Sequence, residues 1–153
     1  MKRLIVYFFI LLAIVILLTQ ASQAQPDGNK LGINVGWPYV GVKYNLSDLF
    51  AAEIRYANGE GIDFYAGRMY LTVLHTTPNL FVGCEGGSIS FNSNDMQGTG
   101  YEAALFIGTE YFILKRFSIS LDISPMFIGV SSGSTSVSGF EFTVNSSLCY
   151  YLF

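Results

Sequence analysis

Apolar and polar residues alternate with a period of two along most of this chain. From Phe140 to Leu152 the even positions are mostly apolar, whereas the odd positions carry Glu141, Thr143 and Asn145. Side chains of a β-strand point alternately to its two faces, so this spacing predicts a strand with one oily and one polar side. After residue 30 no segment shows the 3.6-residue spacing of an amphipathic helix.

Eight alternating segments, separated by clusters of Gly, Pro, Asn, Asp and Ser, cover the chain after residue 30. Bacterial outer-membrane barrels have an even number of antiparallel strands, short periplasmic turns and longer outer loops. The sequence predicts this fold, an all-β, eight-stranded, antiparallel up-and-down transmembrane β-barrel, with longer outer loops at 92–99 and 131–136 and a tight outer turn at 58–61. The predicted strands are 31–36, 39–46, 49–57, 62–74, 79–91, 100–114, 116–130 and 137–153.

The region 31–46 leaves two alternatives open. Trp37-Pro38 follows a segment shorter than the roughly nine to eleven residues of a spanning strand, so one kinked strand is possible. A turn is favoured because the apolar positions change from odd to even across this dipeptide. Proline also cannot donate a hydrogen bond within a central ladder. A β-bulge would shift the phase in the same way.

The first 24 residues have the composition of an export signal. Two basic residues precede an apolar run over 4–18, and the small residues Ser22 and Ala24 favour cleavage after residue 24. An uncleaved anchor helix is the alternative, but it requires roughly twenty apolar residues. The chain therefore divides into a signal peptide, 1–24, and one barrel domain, 25–153.

The mature chain is acidic and poor in charge. Of the eight Lys and Arg, two lie in the export signal, which leaves six bases against eleven acids and a net charge of −5. This balance argues against nucleic acid as a partner. Charged residues make up 12% of the chain and aromatic residues 16%, whereas about 25% of a soluble domain is charged. So little charge favours a surface that contacts outer-membrane lipid.

Two hypotheses differ in the direction in which the apolar faces point. A soluble periplasmic β-barrel that binds a small apolar ligand would turn these faces into its lumen, whereas a membrane barrel turns them to lipid. Sparse charge on the polar faces and aromatic residues near both strand ends favour the membrane barrel. The predicted aromatic girdles comprise Trp37, Tyr39, Tyr56, Phe91 and Tyr101 outside and Phe81, Tyr111, Phe112, Phe117, Tyr150, Tyr151 and Phe153 at the periplasmic rim.

In a membrane barrel the polar faces line the lumen and bring charged residues together. Eight strands enclose only enough space for their own side chains, so these charges must pair with one another. The surplus of acids predicts that some carboxylates are protonated or share water, in a structural rather than a catalytic role. The expected lumen charge network consists of Lys43, Glu53, Arg55, Arg68, Glu85, Glu102, Glu110, Asp122 and Glu141.

The sequence contains no pattern that indicates catalysis, a cofactor or a metal ion. The single histidine, His75, falls in a predicted periplasmic turn, and no serine with a matching acid can be assigned to it. Cys84 and Cys149 give no metal-ligand spacing. Export would permit a disulfide, but alternation places these cysteines on opposite faces of non-neighbouring strands. A non-enzymatic protein is therefore expected.

The export signal, the eight amphipathic strands, the aromatic strand ends and the terminal segment 148–153 resemble the small outer-membrane β-barrel proteins. This group includes the membrane domain of outer-membrane protein A and its short relatives. The resemblance covers the whole mature chain and is one of pattern, without a catalytic string. It implies a porin-like protein in the outer membrane of a diderm bacterium, structural or interacting through its outer loops, and we expect a monomer.

The same resemblance implies a partner during assembly. In this family the barrel-assembly machinery reads a terminal aromatic residue together with an aromatic residue two positions earlier. Phe153 and Tyr151 match these positions. The apolar alternation instead runs through Tyr150 and Leu152, which leaves open which aromatic side chain faces lipid.

Overall fold

The computed structural model describes residues 31–93 and 96–152. Its eight strands form one closed antiparallel barrel, in which each strand pairs with the next and the last pairs with the first. The all-β fold with eight antiparallel strands is thus confirmed, while the predicted signal peptide, 1–24, and Phe153 lie outside the described residues. The strands are β1 Leu31–Gly36, β2 Tyr39–Asn45, β3 Phe50–Gly59, β4 Ile62–Leu74, β5 Asn79–Ser93, β6 Met96–Leu114, β7 Phe117–Ser132 and β8 Thr135–Tyr151.

The described residues include no helix that is long and apolar enough to cross a membrane.

The region 31–46 forms two strands. β1 and β2 pair antiparallel, with Val35 opposite Val40, so Trp37-Pro38 lies in the turn between them. The change of apolar phase at this dipeptide therefore marks a turn and not a bulge. β1 also pairs with β8, and this short hairpin closes the ring.

The two predicted longer outer loops are strand extensions instead. β5 and β6 remain paired as far as Ser93 opposite Met96, and β7 and β8 as far as Ser132 opposite Thr135. The prediction was wrong because serine, threonine, asparagine and glycine favour turns, yet their backbones pair in a ladder as any other residue does once the hairpin is in place.

The β3–β4 connection is tight, as expected. Gly59 pairs with Ile62, and the two residues between them, Glu60 and Gly61, have positive φ angles of 50° and 80°. Two successive positive φ angles are typical of the type I′ turn, whose twist matches that of a two-residue hairpin.

Apolar side chains cover the outside of the barrel. Ile54, Phe140 and Phe142 are each more than 70% exposed, and Leu105 and Val144 are about two-thirds exposed. Alternate positions on the same strands point inward and carry most of the buried charged and hydroxyl side chains. The two faces predicted from the alternation are therefore present, with the oily face outside.

Four aromatic residues predicted for the girdles point into the barrel. Tyr39, Phe81, Phe112 and Tyr151 are at most 7% exposed. The prediction was wrong for them because nearness to a strand end does not determine the face, whereas the strand phase does. Exposed girdle residues are Trp37, Tyr56, Tyr101 and Tyr150.

The inward aromatic residues fill the lumen. Tyr70, Phe81 and Phe106 pack around one another with ring centroids 5.0 to 6.0 Å apart. Nearer the end of the barrel where β1 begins and β8 ends, the Phe112 and Tyr151 rings lie 5.7 Å apart. Together with the charged side chains, these rings occupy the space that would otherwise be a pore.

Candidate functional site

One ion pair crosses the lumen near the end of the barrel where β1 begins and β8 ends. The ammonium of Lys43 on β2 is 2.9 Å from Glu110 Oε2 on β6, four strands away around the ring. The hydroxyls of Ser118 and Tyr151 donate to the other oxygen, Glu110 Oε1, at 2.7 and 2.8 Å. Both oxygens of this buried carboxylate therefore have donors, as burial of a charge requires.

A larger cluster lies further along the lumen. Arg68 on β4 forms two parallel hydrogen bonds with Asp122 on β7, each 2.9 Å long, and its Nε contacts Glu85 on β5. Asp122 also accepts from Ser124 at 3.2 Å and from Asn145 at 2.9 Å. The bidentate geometry fixes the guanidinium plane, and the contact with Glu85 adds β5 to the two strands that this pair connects.

Arg55 on β3 connects this cluster with Glu53 on the same strand and, through Glu53, with Asn34 on β1. Its Nε lies 3.1 Å from Glu53 Oε1, and its Nη1 lies 3.4 Å from Glu85 Oε2. Glu53 also accepts from Asn34 at 2.7 Å and from the Tyr70 hydroxyl. Glu85 thus lies between two arginines, and Glu53 between a cation and two neutral donors.

Both arginines also stack on aromatic rings. The guanidinium carbon of Arg55 is 3.8 Å from the Tyr39 ring centroid, and that of Arg68 is 3.9 Å from the Phe106 ring centroid. Stacking on a ring face favours a desolvated cation, so the inward aromatic residues complement the charges as well as filling space.

The described ion pairs include seven of the nine predicted members of the lumen charge network. The two others differ. Glu102 is buried, but no ion pair among the described residues includes it, and its Oε1 has no hydrogen-bond partner there. Glu141 lies on the inward side of β8 but is exposed, because β8 extends past the shorter strands at that end.

Neutral donors are the part of this site that sequence reasoning missed. The strand phase could have identified them from the sequence. Tyr70, for example, is two residues from Arg68 and therefore lies on the same inward face. Tyr151, predicted as part of the assembly signal, also points inward and donates to Glu110, while Tyr150 faces outward. The role of Tyr151 and Phe153 in assembly stays a prediction. The neutral donors are Asn34, Tyr70, Ser118, Ser124, Asn145 and Tyr151.

The reactive side chains lie apart from one another. Cys84 is exposed on the outside of β5, and Cys149 is buried in the lumen, both as free thiols. His75 is exposed in the β4–β5 turn. Within the part of the chain that the structure describes, no group of three or more His, Cys, Asp and Glu could hold a metal ion. The inward side chains instead connect strands across the lumen through ion pairs and hydrogen bonds.

No family model matches this sequence, and neither the curated proteins nor the solved structures contain a match.

Proposed function

We propose that this chain is an integral outer-membrane β-barrel protein without enzymatic activity, whose lumen is closed by ion pairs and aromatic rings. Its role is structural or lies in interactions through its outer hairpins. The observation that carries the proposal is the distribution of polarity, with apolar side chains outside and paired charges inside.

The cost of the exposed apolar surface in water supports this proposal. Leaving an Ile, Leu or Phe side chain exposed forfeits roughly 1.5–3 kcal/mol relative to burial, and soluble monomers rarely expose apolar patches larger than a few hundred Å². Here every strand except β5 has exposed large apolar residues on its outer face. Lipid around the barrel removes this cost, and a closed barrel leaves no unpaired strand edge in the hydrocarbon.

Strand length gives a second argument. A tilted strand needs roughly nine to eleven residues to span the hydrocarbon core. β1 and β2, with 6 and 7 residues, are shorter than this, whereas β5 to β8 contain 15 to 19. The excess would project the β5–β6 and β7–β8 hairpins from the outer surface, where they could contact a partner.

The proposed location follows from the export signal predicted at 1–24 and the aromatic residues Tyr151 and Phe153. Signal cleavage, passage to the outer membrane of a diderm bacterium and insertion by the barrel-assembly machinery belong to the proposal. A monomer is proposed because a closed ring offers no strand edge for a second copy to extend.

The test is extraction of the membrane fraction with alkali, followed by electrophoresis in SDS with and without boiling. We expect the protein in the pellet, with a mobility that changes on boiling because a closed barrel resists SDS until heated. Release into the wash without a mobility change would contradict the proposal and favour the soluble periplasmic barrel.

Two arginine substitutions sharpen this test. Val144→Arg lies in the middle of the outward apolar face of β8, where a cation costs about 2–4 kcal/mol at the bilayer midplane, so it should lower the heat-modifiable fraction. Ser138→Arg lies near the tip of the β7–β8 hairpin and should leave that fraction unchanged. Equal behaviour of the two variants would argue against a membrane position for β8.

A further inference from the structure

A cavity of about 350 Å³ lies inside the barrel at the end that carries the β3–β4 turn. This volume falls within the range of small-molecule sites, roughly 300–1,000 Å³. Apolar side chains, including Phe64, Ile89 and Met126, form part of its wall. Glu85 and Glu102 line the same cavity. The cavity thus combines an apolar wall with a small charged region.

The charges around this cavity do not balance. Arg55 is held between Glu53 and Glu85, and Arg68 between Glu85 and Asp122. These ion pairs contain three carboxylates but only two guanidinium groups. Glu102 adds a fourth carboxyl group, which lies within hydrogen-bond reach of Glu85 and belongs to none of the described ion pairs. The surplus around the cavity is therefore negative.

Among the carboxyl groups that line this cavity, Glu102 is the one whose bonding is incomplete. The residue is 7% exposed, and its Oε1 has no hydrogen-bond partner among the described residues. An unsatisfied buried acceptor is costly, more so when it is charged. Each carboxylate of the paired cluster, by contrast, has a cationic partner. A donor from outside the chain would complete the bonding of Glu102.

We propose that this cavity binds a small amphiphilic cation, a primary ammonium group carried on a compact apolar body. The ammonium would donate to Glu102, and the apolar body would lie against Phe64, Ile89 and Met126. An anion is disfavoured because Arg55 is already paired, and a wholly apolar molecule would leave Glu102 unsatisfied. The proposal does not rest on membrane insertion, since the lining belongs to the barrel interior, and a protein that stays soluble is titrated in buffer instead of nanodiscs.

The test compares three probes of matched shape: 2-phenylethylammonium, neutral 2-phenylethanol and anionic phenylacetate. The full mature protein is placed in nanodiscs of zwitterionic lipid, whose surface does not itself concentrate cations, and backbone amide shifts are followed by NMR during titration. We expect saturable shifts at lining residues with the ammonium. Binding of the alcohol should be about tenfold weaker or more, because it lacks the charge-assisted hydrogen bond.

Variants assign the effect to the carboxylate. Glu102→Gln keeps the shape and removes the charge, so ammonium binding should weaken by about tenfold or more. Glu141→Gln removes an exposed inward-side acid outside the cavity lining and should leave binding unchanged. Ala57→Phe places a ring in the cavity and should abolish binding of every probe, which keeps the proposal testable if Glu102→Gln does not fold.

Equal binding of ammonium and alcohol would overturn the proposal. So would shifts that do not saturate, equal weakening by Glu102→Gln and Glu141→Gln, or full binding to Ala57→Phe.

Discussion

At the scale of single residues, the buried charges are satisfied by more than their counterions. Glu110 accepts from Lys43 and from two hydroxyls, and Asp122 accepts from an arginine, a serine and an asparagine. Removing a charge from water costs several kcal/mol, which a counterion offsets only with good geometry and further hydrogen bonds. The neutral donors are therefore as necessary to the lumen as the opposite charges.

Removal of Lys43 alone should destabilise the barrel strongly. Lys43→Met leaves Glu110 buried without its cation, and breaking a buried pair from one side costs about 3–5 kcal/mol. The double variant Lys43→Met with Glu110→Leu should lose less than the single variant, because no unpaired charge remains. The free energy of unfolding in urea, measured in lipid vesicles, checks this order.

Lys115→Met is the matched control, since Lys115 is exposed in the β6–β7 turn and its replacement should leave the free energy of unfolding unchanged. A double variant less stable than Lys43→Met would contradict the account of this pair.

The charged members of this network could be predicted from the sequence because charge type and strand phase are both visible there. Their partners could not, since pairing depends on which strands lie opposite across the lumen and at what height. Glu102 and Glu141 have the inward phase of the other acids, yet the first is unpaired within the described residues and the second exposed. Only the register and the unequal strand lengths separate these cases.

At the scale of elements, glycines on the inward faces make room for aromatic rings from neighbouring strands. A Cβ at Gly83 would lie 2.3 Å from the Phe106 ring and 2.1 Å from the carbonyl oxygen of Met69. A Cβ at Gly86 on the same strand would meet nothing within 4 Å. The two positions differ because Gly83 points inward and Gly86 outward.

Gly83→Ala should destabilise the barrel by about 1–3 kcal/mol, the usual cost of overpacking. Gly86→Ala should be neutral or slightly stabilising, because alanine restricts the unfolded chain and meets no contact in the barrel. Urea unfolding of the two variants in vesicles measures the difference. Equal stabilities would mean that Phe106 does not pack on Gly83 as described.

The strands could be predicted closely because alternation persists to within a few residues of most turns. The β5–β6 and β7–β8 hairpins were underestimated because their tips lose the apolar half of the pattern. A strand without an oily face cannot be distinguished from a loop by alternation alone. The alternation thus shows where the apolar face of a strand ends, but it does not show where the backbone pairing of that strand ends.

At the scale of the whole molecule, the barrel has unequal walls. β1 to β3 contain 6 to 10 residues, whereas β5 to β8 contain 15 to 19. Aromatic rings and ion pairs close the lumen toward the end where β1 begins and β8 ends. The 350 Å³ cavity lies toward the opposite end, which carries the long hairpins. This cavity could not be predicted from alternation, because it depends on how far opposite strands extend beyond the charged layer.

The central claim is that the outer face of this barrel contacts lipid while its inner face does not. Neighbouring residues on β8 test it directly, because Phe142 is 78% exposed on the outer face and Thr143 lines the cavity inside. With the single tryptophan, Trp37, replaced by phenylalanine, Phe142→Trp and Thr143→Trp each place one fluorophore on one face.

The measurement is quenching of tryptophan fluorescence by lipids brominated on their acyl chains. Strong quenching of Phe142→Trp and weak quenching of Thr143→Trp is the result expected of a barrel with lipid outside. Equal quenching of the two variants, or none for Phe142→Trp, would contradict the account.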